Sequence, residues 1–130
     1  MAIEFSVNLE DVPGTLGRLG TVLGDAKVNI EAIHGRSHDG QAWVQFVPDA
    51  PERAARALET AGLSWTTRDV LIVRVLDEPG NLGEVALVMS HAGINIDSLY
   101  VTTRGLVVLG VDDLAGAIQV AGGMAVLTQP

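Results

Sequence analysis

The sequence contains no cysteine among its 130 residues, and only 4% of the residues are aromatic. Without cysteine, a disulfide framework, a catalytic thiolate and a cysteine-ligated metal site are excluded. Since aromatic residues are scarce, the core has to be built from Val, Leu, Ile and Ala, within a hydrophobic content of 48%. This composition is typical of an ordered globular protein.

Basic residues are scarce as well: eight Lys and Arg stand against sixteen Asp and Glu, which gives a formal net charge of −8. A chain this acidic lacks the positive surface that phosphate backbones require, so we expect no nucleic-acid partner. The longest apolar runs, such as residues 70–73, are far too short to span a bilayer. Because no basic stretch followed by an apolar one opens the sequence, we expect a cytoplasmic protein without membrane association.

The sequence does contain one stretch in two copies. Residues 7–17 and 73–83 share Val, Asp, Pro-Gly, Leu and Gly at a shift of 66, and residues 26–31 and 92–97 align at the same shift. A repeat held over this length indicates a duplicated domain. We therefore predict two domains, residues 1–68 and 69–130. Because units of this size have small cores, we also expect a homodimer.

Alternating and helical periodicities predict the order βαββαβ in each copy. The first copy is predicted to have strands at 3–9, 28–34, 41–47 and 63–67, helices at 15–24 and 51–61, and a polar loop at 35–40. The second copy is predicted to have strands at 70–76, 95–102, 106–111 and 124–127, and helices at 81–92 and 113–121. The predicted fold class is therefore α+β, with two ferredoxin-like units that each place two helices on one face of a four-stranded antiparallel sheet. The outer face of the second sheet is apolar, and we expect an interface there.

The repeated Asp-x-Pro-Gly-x-Leu stretch lies where the first strand of each copy passes into a helix. Glycine allows a ligand to approach the main chain, and the helix that follows offers free N–H groups and the positive end of its dipole. Asp11 and Asp77 can cap the helix or accept a hydrogen bond from an ammonium group, and Asn29 and Asn95 offer an amide. Together these groups suit a zwitterion, although the same residues also suit ordinary turn and capping chemistry.

Both copies resemble the ACT domain, a βαββαβ module that binds amino acids and regulates metabolic enzymes. Residues 77–83 (Asp-Glu-Pro-Gly-Asn-Leu-Gly) with residues 93–99 (Gly-Ile-Asn-Ile-Asp-Ser-Leu) carry the stronger resemblance. The first copy departs from the family pattern at Lys27, where the family often has glycine, and Leu9 and Val75 stand where some members have a polar residue.

The resemblance implies a non-catalytic regulatory protein with no cofactor and no metal. It implies a small amino acid ligand held at junctions between ACT units, near the Asp-x-Pro-Gly loops, and a metabolic enzyme as a further partner. The implied ligand-binding residues of the first copy are Asp11, Val12, Pro13, Gly14, Thr15, Leu16, Asn29 and Ile30. Those of the second copy are Asp77, Glu78, Pro79, Gly80, Asn81, Leu82, Asn95 and Ile96.

Two alternatives stay open at the level of sequence. Residues 95–99 also resemble a stretch in small subunits of acetolactate synthase, which implies a regulatory subunit that acts through protein contacts. A small enzyme that uses His34, His38 or His91 is the other alternative, but no nucleophile–base pair or carboxylate dyad accompanies these residues.

Overall fold

The computed structural model describes residues 2–126 of the chain. The chain divides into two compact units, one of residues 3–68 and the other formed mainly by the residues from Asp69 onward. The division falls inside a single strand, which supplies the last strand of the first unit and the first strand of the second.

The first unit has the predicted βαββαβ order. Its elements are β1 (Ala2–Glu10), α1 (Thr15–Asp25), β2 (Ile30–His38), β3 (Gln41–Pro48), α2 (Pro51–Thr60) and the first part of β4 (Trp65–Val73). The strand order is β2-β3-β1-β4, so β2 lies at an edge. Both helices pack on one face, where Phe5 stacks on Phe46 with the ring centroids 5.4 Å apart.

The second unit repeats this arrangement. It consists of the end of β4, α3 (Asn81–His91), β5 (Ile96–Val101), β6 (Val107–Val111), α4 (Leu114–Ala121), a 3₁₀ helix (Gly122–Met124) and β7 (Ala125–Val126). Its strand order is β7-β4-β6-β5, and the described strand pairs are antiparallel. Val85 and Met89 of α3 and Ala117 of α4 pack with Leu71 and Leu109 on one face of the sheet. The α+β, ferredoxin-like fold class is confirmed.

The polar loop predicted at residues 35–40 is wrong. Strand β2 continues to His38, and the hairpin closes through Asp39 and Gly40 alone. Both turn residues have positive φ, 50° and 76°, which is the geometry of the two-residue Asp-Gly turn that joins twisted antiparallel strands. The Asp-Gly pair therefore sets the hairpin, and the polar residues before it belong to an edge strand.

The two strands predicted on either side of Arg68 and Asp69 are one continuous strand, β4. Near the end of the chain, the strand predicted at residues 124–127 is shorter: Met124 belongs to the 3₁₀ helix and Ala125–Val126 form β7. Leu127 lies outside the described residues. On the face of the second sheet that was predicted to be an interface, Val70, Ile72 and Val108 are buried in the chain itself. These three residues of the face are therefore not exposed.

The outer face of the first sheet contains a buried polar network. Glu4 is 1% exposed, and its Oε1 accepts hydrogen bonds from Arg68 Nε at 3.1 Å and from Gln45 Nε2 at 3.4 Å. The ring Nε2 of His34 lies 2.6 Å from Gln45 Oε1. Because a buried carboxylate without partners is costly, these bonds are needed to keep Glu4 in place.

Lys27, two residues after the end of α1, has a strained backbone. Val28 N–H donates to Leu23 O and Lys27 N–H donates to Gly24 O, both at 3.0 Å, which is the Schellman pattern of helix termination. This pattern needs a left-handed residue, and Lys27 fills it at φ 61°. In the second unit Gly93 occupies the same place at φ 73°. A left-handed backbone lowers the stability of the folded protein when the residue is lysine, because its Cβ is crowded, but glycine adopts this conformation without strain.

Replacing Lys27 with glycine should stabilise the protein. The relief of left-handed strain exceeds the entropy that glycine adds to the unfolded chain, so we expect Lys27→Gly to raise the free energy of unfolding by about 0.5–1 kcal/mol in urea denaturation. Gly93→Ala is the matched reverse change and should lower it by a similar amount. A Lys27→Gly protein that is less stable than the parent would contradict this account of the helix end.

Removing the cation beside Glu4 should destabilise the first unit. Arg68→Ala removes the Arg68 Nε contact with the buried carboxylate, and because Arg68 is partly exposed we expect a loss of about 2 kcal/mol rather than the full cost of a buried pair. Arg53→Ala, on the exposed side of α2, is the control and should change stability by less than about 0.5 kcal/mol. Equal effects of the two substitutions in urea denaturation would show that the Glu4–Arg68 pair has no special role.

Candidate ligand-binding site

The two Asp-x-Pro-Gly loops have the same backbone geometry. Gly14 immediately precedes α1 at φ 98° and ψ −19°, and Gly80 immediately precedes α3 at φ 89° and ψ −14°. A side chain is strongly disfavoured at such φ values, so the turn from strand to helix requires glycine. Apart from the adjacent residues, no atom of residues 2–126 lies within 4 Å of the place where a Cβ would stand on either glycine. The main chain is therefore open to approach at both loops.

A side-chain hydrogen bond closes each loop. In the first unit Thr15 Oγ donates to Glu10 O at 2.8 Å, and in the second Asn81 Nδ2 donates to Leu76 O at 3.1 Å. Glu10 and Leu76 are themselves equivalent in the repeat, so different side chains make the same bond. The sequence does not predict this shared role, because Thr15 and Asn81 are residues of different types.

Asp11 and Asp77 do not cap the helices, although capping was one of the two roles that the sequence allowed them. Gly14 and Gly80 occupy the N-cap positions, and neither helix has a side-chain cap. By contrast, α4 is capped by Asp113, whose Oδ1 accepts from Gly116 N–H at 3.0 Å. An uncapped helix start leaves donors free for a ligand.

Next to the first loop lies a cleft of about 440 Å³, the loop cleft. Its lining residues are Leu9, Asp11, Val12, Thr15, Leu16, Ile33, His34, Gly35, Arg36, Ser37, Ala42 and Val44. Three aliphatic side chains in this lining are substantially exposed: Val12 at 51%, Leu16 at 59% and Ile33 at 41%. The loop cleft thus has an apolar wall that is not covered within the described residues.

Polar groups stand at the rim of the loop cleft. Arg18 N–H makes the first hydrogen bond of α1, to Gly14 O, so the N–H groups of Leu16 and Gly17 have no acceptor within residues 2–126. The Asp11 N–H donates to Gly40 O at 3.0 Å, which ties the loop to the hairpin turn, while its carboxylate makes no hydrogen bond to the described part of the chain. The rim therefore offers both free donors and a free anion.

The strand register decides which side chains of β2 face the loop cleft. Ile33 pairs with Phe46, and Gly35 with Val44, so both lie on the helix-bearing face of the sheet. His34 lies on the opposite face, where it contacts Gln45. Ser37 belongs with Ile33 by the alternation of the strand. The residues of the edge strand β2 that face the loop cleft therefore lie on the helix-bearing face of the sheet.

Asn29 and Ile30 lie at the other end of the unit from the Pro-Gly loop. Ile30 pairs with Pro48 at the end of the sheet where β1 begins, whereas the loop follows the end of β1. Asn29 N–H donates to Asp49 Oδ1 at 2.9 Å, and Asn95 N–H donates to Asp112 Oδ1 at 3.0 Å. Within one unit, the structure does not bring the Asn and the Pro-Gly loop together.

Of the residues predicted for the first copy, the loop cleft brings together Asp11, Val12, Thr15 and Leu16, while Pro13 and Gly14 shape the turn beside it. In the second copy, Asn81 lines a different cleft and Gly80 repeats the turn. The sequence did not assign the other lining residues to a ligand site: Leu9, Ile33, His34, Gly35, Arg36, Ser37, Ala42 and Val44. The lining residues on β2 could have been predicted from the Asp39-Gly40 pair. This pair is typical of a two-residue hairpin turn, so it indicates that β2 continues through most of the predicted loop.

The histidines have separate partners. His38 Nε2 lies 3.1 Å from Asp39 Oδ2 in an exposed pair, and His34 contacts Gln45. Within residues 2–126 no group of three or more potential metal ligands occurs. None of the helices in these residues is long and apolar enough to cross a membrane.

The first unit matches the model of a known protein family. The family model of the ACT domain matches residues 3–59, which include β1, the Pro-Gly loop, α1 and the β2–β3 hairpin. Over these residues the chain is similar to an ACT domain. A comparison of the whole sequence with curated proteins found no significant match.

Solved structures share the fold of this chain over most of its length. The protein BT0572 from Bacteroides thetaiotaomicron matches with a TM-score of 0.85 and 23% identity, over 92% of this chain and 85% of that one. The ligand-free regulatory subunit of aspartate kinase from Thermus thermophilus gives a TM-score of 0.70 at 16% identity, over 92% and 89% of the two chains. The corresponding subunit from Thermus flavus gives 0.67 at 19%, with the same coverage. At these identities the likeness establishes the fold.

Loss of the Thr15 hydroxyl should loosen the loop of the ACT domain. Thr15→Val removes the bond to Glu10 O, and because that bond is exposed we expect a loss of about 0.5–1 kcal/mol in unfolding free energy. Hydrogen exchange at the Asp11 and Val12 amides should become faster at the same time. Thr15→Ser retains the hydroxyl and serves as the control; if it behaved like Thr15→Val, the hydrogen bond would not be what holds the loop.

Proposed function

We propose that this chain is a non-catalytic regulatory protein that binds a small amino acid, with residues 1–68 and 69–130 as two ACT domains. The observation that carries the proposal is the loop cleft, in which an uncapped helix start, a free carboxylate and an aliphatic wall meet inside a matched ACT domain. The shared element order and the equivalent glycines, Gly14 and Gly80, support the same assignment for the second half.

The groups of the loop cleft match the parts of an amino acid one by one. The free N–H groups of Leu16 and Gly17 and the positive end of α1 suit the carboxylate. The Asp11 carboxylate suits the ammonium group, and the aliphatic wall formed by Val12, Leu16 and Ile33 suits an apolar side chain. Since all three parts have to be satisfied together, a zwitterion fits better than a simple anion or amine.

A regulator also has to transmit the presence of its ligand. We infer that the protein acts in the cytoplasm as a homodimer and passes on occupancy of its ligand site to a metabolic enzyme. The three exposed aliphatic residues of the loop cleft support an additional chain as a neighbour, since such side chains gain stability when they are covered. Ligand and neighbour at one place would couple binding to association.

The proposal is tested by screening the twenty amino acids for thermal stabilisation, followed by calorimetry. An amino acid present at 100 times its Kd should add about 2.7 kcal/mol to the unfolding free energy. Asp11→Asn should weaken binding at least about tenfold because the ammonium group loses its counter-charge. Glu59→Gln, an exposed acid on α2, is the control and should bind as the parent does.

Two results would count against amino-acid binding at this place. The first is the absence of stabilisation by any amino acid at millimolar concentration. The second is equal affinity of the Asp11→Asn and Glu59→Gln proteins, which would move the ligand away from the loop cleft. Analytical ultracentrifugation with and without ligand tests the homodimer separately.

The alternative is a regulatory subunit that works through protein contacts alone. Its support is the exposed aliphatic wall itself, together with the fold shared with regulatory subunits of aspartate kinase. Here Leu16→Asp should abolish co-purification with a large catalytic chain, while amino acids have no effect on stability. Retention of that chain by the Leu16→Asp protein would exclude this surface as the contact.

A further inference from the structure

Nine side chains of the first unit form a grid on the outer face of its sheet, the face away from the helices. Strand β3 supplies the middle column, and each of its outward residues pairs with one residue of β1 and one of β2. Val44 and Phe46 of β3 pack in the core, so the residues that alternate with them face outward. The three rows of this Trp43 grid are Ser6, Gln45 and His34; Asn8, Trp43 and Arg36; and Glu10, Gln41 and His38.

Trp43 occupies the centre of the Trp43 grid and is surrounded by polar side chains. It is 47% exposed, whereas the other four aromatic residues of the chain are buried or half-buried. Within residues 2–126 its ring contacts no other aromatic ring and no cation. The face of the indole is therefore open, and a ligand with an apolar face gains stability by covering it.

The first row of the Trp43 grid is held in place by hydrogen bonds. Gln45 Oε1 lies 2.6 Å from His34 Nε2, and Gln45 Nε2 donates to Ser6 Oγ at 3.5 Å and to Glu4 Oε1 at 3.4 Å. Glu4 is buried and is also bound by Arg68. Because the side chains of this row are already fixed, less entropy is lost when a ligand binds beside them.

The other polar groups around Trp43 are available to a ligand. The side chains of Asn8, Glu10, Arg36 and Gln41 are exposed and make no hydrogen bond or ion pair within residues 2–126. Because β2 is an edge strand, Arg36 also lines the loop cleft. An amide, a guanidinium and a carboxylate are planar groups that can each bind two neighbouring atoms. Trp43 thus has free donors and acceptors on several sides.

The second unit has buried residues at the equivalent positions of its sheet. The register of the strands puts Leu106, which is 7% exposed, where the first unit has Trp43. Thr102, whose N–H donates to Leu106 O at 2.8 Å, is buried as well. The neighbouring outward residues Ile72 and Val108 are buried and apolar. The fold therefore does not require an indole with polar neighbours here, and the Trp43 grid is specific to the first unit.

We propose that the Trp43 grid binds a neutral sugar, with one pyranose ring lying flat on the indole. A pyranose has C–H groups on its faces and hydroxyl groups around its edge. The C–H hydrogens carry a small positive charge and are attracted to the negative face of the indole. The hydroxyl groups point outward to Asn8, Arg36 and Gln41, where they find both donors and acceptors. This site is on the opposite face of the sheet from Ile33 and does not depend on amino-acid binding in the loop cleft.

The size and the charge of the Trp43 grid both favour one neutral ring. Strands lie about 4.8 Å apart and each residue adds about 3.4 Å along a strand, so the eight positions around Trp43 frame roughly 10 by 14 Å. This area accommodates a single pyranose with its hydroxyl groups. Arg36 and Glu10 have opposite charges, and the chain as a whole has a net charge of −8, which disfavours a phosphorylated sugar or a nucleotide.

The indole N–H signals of the two tryptophans provide the readout. In ¹⁵N-labelled protein, Trp43 reports on the grid, and Trp65, which packs against the core, reports on the integrity of the first unit. Methyl β-D-glucopyranoside should shift the Trp43 signal in a saturable manner, with a Kd on the order of millimolar because much of the ligand stays in contact with water. Sorbitol has a similar set of hydroxyl groups without a ring and should cause no saturable shift.

Three substitutions test the residues of the Trp43 grid, with saturation-transfer NMR on the sugar as a second measurement. Trp43→Leu copies the second unit and should abolish binding, whereas Trp43→Phe retains a ring and should weaken binding about three- to tenfold. Gln41→Ala should weaken it at least about threefold. Gln119→Ala, at an exposed glutamine on α4, is the matched control and should bind as the parent does. An unchanged Trp65 signal in each variant shows that the first unit is folded.

Three results would overturn the proposal. They are the absence of a saturable Trp43 shift, an equal shift with sorbitol, and sugar binding by the Trp43→Leu protein that matches the parent. Adenosine separates a sugar site from a surface that stacks any flat ring. If adenosine binds more tightly than the glucoside, the Trp43 grid is a nucleobase site and the sugar proposal is wrong; weaker binding of adenosine supports the sugar.

Discussion

Each unit depends on a left-handed glycine at the passage from its first strand to its first helix. Gly14 and Gly80 turn the chain so that the helix lies back over the sheet, and they do so with nearly the same dihedral angles. Because the turn is made by the N-cap residue itself, no side chain caps the helix, and the first donors stay free. The geometry that folds the unit therefore also leaves backbone donors free at the start of the helix.

The sequence predicted the βαββαβ order because apolar periodicity and Pro-Gly turns act locally. It failed where a local signal competed with a longer-range one. Polar residues around Ser37 suggested a loop, but pairing with β3 and the Asp39-Gly40 turn hold them in an edge strand. Likewise, Arg68 and Asp69 look like a break between strands, yet both lie in the middle of the single strand β4.

The candidate site was only half predictable for a related reason. Asp11, Val12, Thr15 and Leu16 come from one short motif, so the sequence itself places them together. Ile33 and Val44 reach the same cleft through strand register, which a motif does not encode. Asn29 stands at the far end of the unit because the helix between it and the loop spans the length of the sheet.

The two units keep the same backbone contacts while their surface charges diverge. Thr15 and Asn81 make equivalent bonds with different groups, and Asp49 and Asp112 hold equivalent strand starts. Since the backbone frame is secured by these contacts and by the buried stripe of each helix, the same exposed helix position holds Arg18 in one unit and Glu84 in the other within one fold. The second unit thereby differs from the first in the charge at this helix position, while the backbone contacts stay the same.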